Sequence, residues 1–201
     1  MGIIRKDFRY KIVKNFLTKK ELEIGSHYYH LMHKRNDTNF DPMAHQSNNG
    51  DSVWSCATDH FSDVLLLAKK KLMEKETGLK LIPTYAFTRI YTYNAELLKH
   101  KDRPACEISV SAMWDSDGTK WPLYINGKAV EMEPGDGVIY LGCEDAHWRE
   151  NFEGDFHIQT FFHYVDKNGP KTDHAYDGKE FSKRLSCLLY TSDAADDLLC
   201  V

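Results

Sequence analysis

The chain has 201 residues, of which 42% are apolar and 28% charged, and a net charge of −4. That length suits one domain around one core, and the composition excludes a disordered or fibrous chain. No apolar run approaches the roughly 20 residues of a membrane span, and the acid-leaning balance argues against a nucleic-acid partner.

The opening residues, MGIIRKDFRYKIVKNF, carry scattered charge and do not read as a secretory signal. Phe8 to Phe16 is a short apolar lead-in with strand character. Thr18 and Glu21 have capping-box spacing, and Leu22, Tyr28, Tyr29, Leu31 and Met32 follow as an irregular apolar helix face. Asn36 to Ser55 is polar and aperiodic and reads as a loop. A second helix is expected from about Asp59 to Thr77. Phe61, Val64, Leu65, Ala68, Leu72 and Met73 form its stripe, and Gly78 is its stop. Lys69-Lys70-Lys71 reads as its solvated edge.

The period then changes. Leu81 to Asn94 is rich in aromatic and β-branched residues, as strands are. Ala105 to Met113, Trp121 to Ile125, Lys128 to Met132, Val138 to Leu141 and Phe156 to Val165 read likewise. Asn126-Gly127 between two short strands is a hairpin signal, because both turn positions need positive φ. Pro134-Gly135-Asp136-Gly137 marks another tight turn. Two helices followed by six or more antiparallel strands imply a mainly β fold with N-terminal α-helices, a helix-backed sandwich or jelly roll. Helical support over about 8–78 and a jelly-roll core over about 81–166 would form a single domain, 1–186.

Residues 187–201, CLLYTSDAADDLLCV, resemble the translated read-through of a sequencing-library adapter, and are set aside as an artefactual tail whose natural counterpart is missing. Setting them aside removes Asp193, Asp196 and Asp197 and takes the net charge from −4 to −1. Cys56, Cys106 and Cys143 remain. Their wide spacing, with no CxxC pair, points to reduced thiols in a cytoplasmic protein and not to a structural zinc site.

His100-Lys101-Asp102 carries the chemistry. At a strand end, residues i and i+2 point to one side, so an imidazole and a carboxylate can reach one metal ion. His147, 45 residues beyond Asp102, is the best third ligand; His157 and His163 are its rivals. Two histidines and a carboxylate on one face leave open positions, as in non-haem Fe(II) oxygenases. His27, His30 and His33 recur at a spacing of three but read as a solvated helix face. Trp114, Trp121 and Trp148 are either core residues or cleft linings, with core packing the default for tryptophan.

From about Thr84 to Asp166 the chain resembles the Fe(II)/2-oxoglutarate-dependent oxygenase superfamily, in its prolyl 4-hydroxylase-like branch. The segments that carry the likeness are Tyr91-x-x-Asn94-x-x-Leu97-x-x-His100-x-Asp102, Arg103 to Ser109, and Pro134 to Tyr140 ahead of His147. The resemblance implies a double-stranded β-helix with metal ligands His100, Asp102 and His147. It also implies Fe(II), 2-oxoglutarate and O2 as reaction partners, ascorbate as a further candidate, and hydroxylation of a small-molecule, peptide or protein substrate such as a prolyl side chain. The family's cation for the distal carboxylate of 2-oxoglutarate is an arginine or lysine on the final core strand. Phe156 to Phe161 contains neither. Arg89 or Arg149 could replace it, with Tyr91, His157 or Gln159 assisting; His157, Gln159, Phe161 and His163 share one face by alternation, taken as the inward one. A cupin-like metal-binding module without 2-oxoglutarate turnover, and a non-enzymatic binding module, are the alternatives. Asn36 to Ser55 and Asp115 to Lys120 are candidate lids.

Overall fold

The computed structural model describes residues 8–35, 39–40, 53–56 and 59–178. The tail 187–201 and most of the loop expected at Asn36 to Ser55 lie outside them. Among the described residues there are two helices, α1 (Lys19–Lys34) and α2 (His60–Thr77), and eleven strands. The strands are β1 (Lys11–Val13), β2 (Asn39–Phe40), β3 (Val53–Cys56), β4 (Leu81–Thr92), β5 (Leu97–His100), β6 (Ile108–Ser116), β7 (Leu123–Ile125), β8 (Lys128–Val130), β9 (Gly137–Tyr140), β10 (His147–Arg149) and β11 (Phe156–Asp166). They form a seven-stranded sheet, β1-β9-β6-β11-β4-β3-β2, and a four-stranded sheet, β5-β10-β7-β8. Every pairing is antiparallel. This is the expected double-stranded β-helix, or jelly roll. No helix of the described residues is long and apolar enough to cross a membrane.

Local chemistry sets the element ends. Thr18 and Glu21 form a reciprocal capping box, Glu21 N donating to Thr18 Oγ1 and Thr18 N to Glu21 Oε2. Asp59 caps α2 by accepting from Ser62 N at 2.9 Å, and Gly78 ends it in the left-handed region at φ 72°. Asn126 (φ 49°) and Gly127 (φ 83°) turn β7 into β8.

The large sheet is covered on both faces, so its strands are buried nearly throughout and do not alternate. The even residues of β4, β6 and β11 pack under the helices, where Ile90, Val110, Ala112, Ile158, Phe162 and Tyr164 meet Tyr29, Leu65, Leu66 and Met73. The odd residues face the small sheet, so His157, Gln159, Phe161 and His163 do share the inward face.

Several expectations are corrected here. Val53 to Ser55 is strand rather than loop, paired with β4, with Val53 and Ser55 buried; polar neighbours mask it in the sequence. In α2, Val64 is 44% exposed while Leu66 and Leu67 are buried, so the apolar face is rotated from the expected stripe. Lys69 is no solvated edge: it is buried, pairs with Glu21 at 2.6 Å and stands over the Phe16 ring. Trp114 lies in the core under the helices, its Nε1 donating to Thr160 Oγ1, and is no cleft residue. His30 bonds Asp115 at 2.9 Å and His33 packs on Trp54, so this helix face is partly used for packing.

Candidate metal centre and cavity

Strand register brings the two histidines together. β5 ends on His100, β10 begins on His147, and the two stand directly opposite each other, ring centroids 4.3 Å apart. Two residues past the strand end, Asp102 N donates to Gly142 O at 2.9 Å. Asp102 Oδ1 then lies 3.4 Å from His100 Nε2 and 3.6 Å from His147 Nε2. The three ligand atoms lie within 4.8 Å of one another.

The tautomers follow from the outer hydrogen bonds. His100 Nδ1 lies 2.7 Å from Leu98 O and His147 Nδ1 2.9 Å from Asp145 O. A carbonyl only accepts, so each Nδ1 carries a proton and each Nε2 turns its second bonding position to Asp102. Acceptors gathered this way call for a cation between them, either protons on the imidazoles or a metal ion. Burial opposes charge on Asp102, but the two imidazoles outweigh it and hold its carboxyl well below the usual carboxylate range. Its second oxygen, Oδ2, is buried without a partner. These residues fit a divalent metal by chemistry, tautomer and spacing.

The group opens into a cavity of about 620 Å³. Tyr85, Phe87 and Phe161 form its apolar wall, Tyr140 stands at its base, and Arg89, Lys101 and Arg103 supply positive charge. Arg103 donates both outer nitrogens to Asp177, at 2.8 and 2.6 Å, and stacks over Tyr85. Asp177 lies on the 3₁₀ segment Thr172–Gly178 and so brings the end of the described chain to the rim.

Four other residues proposed from sequence, Arg149, Tyr91, His157 and Gln159, form a second group, with Arg149 at its centre. Arg149 is 1% exposed. Its guanidinium lies over the Trp121 ring and donates to Trp121 O and to Gln159 Oε1. Among the described residues, no carboxylate pairs with it. Burial lowers its pKa to about 10, which still leaves a cation at neutral pH. Tyr91 packs against the same tryptophan, and its hydroxyl is buried without a partner. His157 is neutral, because burial and then Arg149 push it down to about 3. Its Nε2 donates to Gln159 Oε1, while Gln159 Nε2 donates to Ser111 Oγ. His157 and Gln159 thus hold Arg149 in place. Arg89 faces the cavity, whereas Arg149, Tyr91, His157 and Gln159 do not line it.

Sequence reasoning missed Tyr85, Tyr140, Cys106 and Asp177 as cavity residues. Tyr140 closes a segment that carries the family resemblance, and Cys106 lies in another, but neither was singled out for a role of its own. Asp177 lies past the recognised core and had no signal. His163, set aside as a rival ligand, lines the cavity beside Cys106.

No protein-family model and no curated protein sequence matches the chain. Solved structures do match it in fold. A Pseudomonas putida prolyl-4-hydroxylase aligns over 80% of this chain and 94% of its own, at 14% identity and a TM-score of 0.60. A Trichoplax adhaerens prolyl hydroxylase, in complex with a hypoxia-inducible-factor peptide fragment, covers 80% and 85% at 12% identity and 0.60. HygX of Streptomyces hygroscopicus, with nickel, 2-oxoglutarate and hygromycin B bound, covers 80% and 84% at 11% identity and 0.59.

Proposed function

We propose that the protein is an Fe(II)- and 2-oxoglutarate-dependent dioxygenase that hydroxylates a small molecule or a peptide side chain, prolyl among them, in the cytoplasm. The observation that carries this reading is the meeting of His100 Nε2, His147 Nε2 and Asp102 Oδ1 in the lining of a cavity, in a fold shared with a solved prolyl-4-hydroxylase and with 2-oxoglutarate-bound HygX. His100, Asp102 and His147 would hold iron(II), which in such a site supplies activation of dioxygen coupled to decarboxylation of 2-oxoglutarate.

The chain's own residues do the rest. The carbonyls of Leu98 and Asp145 fix both imidazoles with Nε2 inward. Asp102 stays ionised. Tyr140, Phe161 and Phe87 keep the cavity wall apolar and limit water at the reacting centre. Arg149 is a buried cation with only neutral partners, a costly arrangement that an anion would offset. With the Tyr91 hydroxyl it would receive the distal carboxylate of 2-oxoglutarate, from β10 and not from the final strand, in a site that has to open toward the cavity to admit it. Arg89 carries a second reading of that role, since it faces the cavity directly.

Anaerobic titration of metal-free protein with Fe(II) and then 2-oxoglutarate tests the assignment. A visible metal-to-ligand charge-transfer band is expected in the wild type and lost in His100→Ala and Asp102→Ala. Metal binding without the band would instead favour a cupin-like module, the reading that the lack of arginine and lysine on β11 supports.

A further inference from the structure

Asp102 stands between two groups of ligands. Its Oδ1 faces His100 and His147. Asp102, Cys106 and His163 also bring their ligand atoms within 4.8 Å of one another. Oδ2 is the oxygen that no hydrogen bond claims. A Cβ built on Gly142 would meet Asp102 Oδ2 and Cys106 O at 2.5 Å and Ser109 Oγ at 2.7 Å, so Oδ2 lies against the Cys106–Ser109 turn.

The second group is arranged like the first. Ser109 Oγ donates to Cys106 O, which commits its only proton. It must therefore accept from His163 Nδ1, 2.8 Å away. His163 then carries its proton on Nδ1, and Nε2 keeps a free lone pair. Cys106 is buried, and its Sγ lies 3.1 Å from the Tyr85 hydroxyl. Cys106 and His163 both line the cavity, so an ion from solvent can reach them.

We propose that Asp102 Oδ2, Cys106 Sγ and the His163 imidazole form a second metal position that takes a borderline-soft divalent ion of the zinc type. Its sharing of Asp102 rests on the triad reading above. Thiolate, imidazole and carboxylate together select zinc or cobalt over magnesium or calcium. Binding forms a metal–sulfur bond, and the thiol proton leaves to solvent. An ion here draws on the carboxylate that also completes the triad, so zinc weakens iron binding without displacing either histidine of the pair.

Titration of the metal-free full chain with Co(II) reads this directly, because a thiolate ligand gives a near-ultraviolet charge-transfer band that histidine and carboxylate ligands do not. Wild type is expected to bind two equivalents and show the band. Cys106→Ser should bind one equivalent without it, His163→Gln should weaken it, and Cys143→Ser should keep it, with circular dichroism confirming each fold. One equivalent and no band in the wild type overturns the proposal and leaves the triad standing. A band that survives Cys106→Ser, or that is lost in both Cys106→Ser and His147→Ala, overturns it too. A single equivalent whose band is lost in Cys106→Ser and kept in His147→Ala supports the second position and removes the triad.

Discussion

The two ends of the barrel interior treat charge in opposite ways. At the His100–His147 end, ligand atoms converge around an ionised carboxylate on an accessible cavity. At the Arg149 end, a positive group is sealed in and, among the described residues, meets no carboxylate. Either end alone is an expensive arrangement, since buried charge is normally paired. Their separation along one strand face, on His147 and Arg149 of β10, suggests that one ligand with a metal-binding head and a carboxylate tail satisfies both.

One of the two largest effects should come from Gly142. A Cβ there would collide with Asp102 Oδ2 and Cys106 O, and the Gly142 carbonyl already holds the Asp102 amide. Gly142→Ala should cut affinity for Fe(II) by about 10- to 100-fold while leaving both histidines intact, an effect of the size seen when supporting groups are disturbed. Equilibrium dialysis with Mn(II) as an air-stable substitute measures it. Unchanged affinity would mean that Asp102 does not hold the metal.

Next comes Arg149→Met. A hydrogen-bonded charge contributes about 1.5–3 kcal/mol, so 2-oxoglutarate binding to the Mn(II)-loaded protein should weaken by roughly 10- to 150-fold, with metal affinity unaltered. Calorimetric titration separates the two. Normal binding in this variant together with loss in Arg89→Gln would move the carboxylate receptor to the cavity wall and dissolve the pairing of the two ends.

The two ends were unequally legible in the sequence. His100 and Asp102 could be read because i and i+2 fall on one side of a strand end, and His147 because a tight turn and an apolar strand precede it. Cross-strand register then did what no local pattern announces, setting His147 opposite His100. The Arg149 end was only half legible. Alternation placed His157 and Gln159 inward, but that Gln159 spends both ends of its amide on Arg149 and Ser111 depends on three strands meeting. The helices were read well at their caps and less well on their faces. Lys69 looks solvated in a lysine run, yet the crossing of α1 and α2 buries it against Glu21.

A pH titration sharpens the contrast with a smaller effect. His157 is held neutral, with its pKa lowered from 6.5 to about 3. Between those values the unfolded chain binds a proton that the folded one refuses, so stability falls as pH drops from about 6.5 and levels off near 3. At pH 5 the loss from this one group is on the order of 2 kcal/mol. His157→Gln should flatten that slope in denaturant melts without changing the metal site. An unchanged slope would place the acid sensitivity elsewhere, with His163, lowered to about 4, as the next residue to substitute.

The smallest effect is expected at the rim. Arg103 and Asp177 form a forked pair, but the side chains are 46% and 27% exposed, and exposed pairs contribute at most about 1 kcal/mol. Asp177→Asn should therefore shift the melting temperature by only a few degrees. Its informative readout is the metal site. Arg103 directly follows Asp102, and its carbonyl accepts from Cys143 Sγ. Should releasing the guanidinium leave Mn(II) affinity untouched, the Asp102 loop is held from Gly142 and Cys143 without the rim. Should affinity fall by several-fold, the rim and the metal end act as one unit, and only the Arg149 end is set apart.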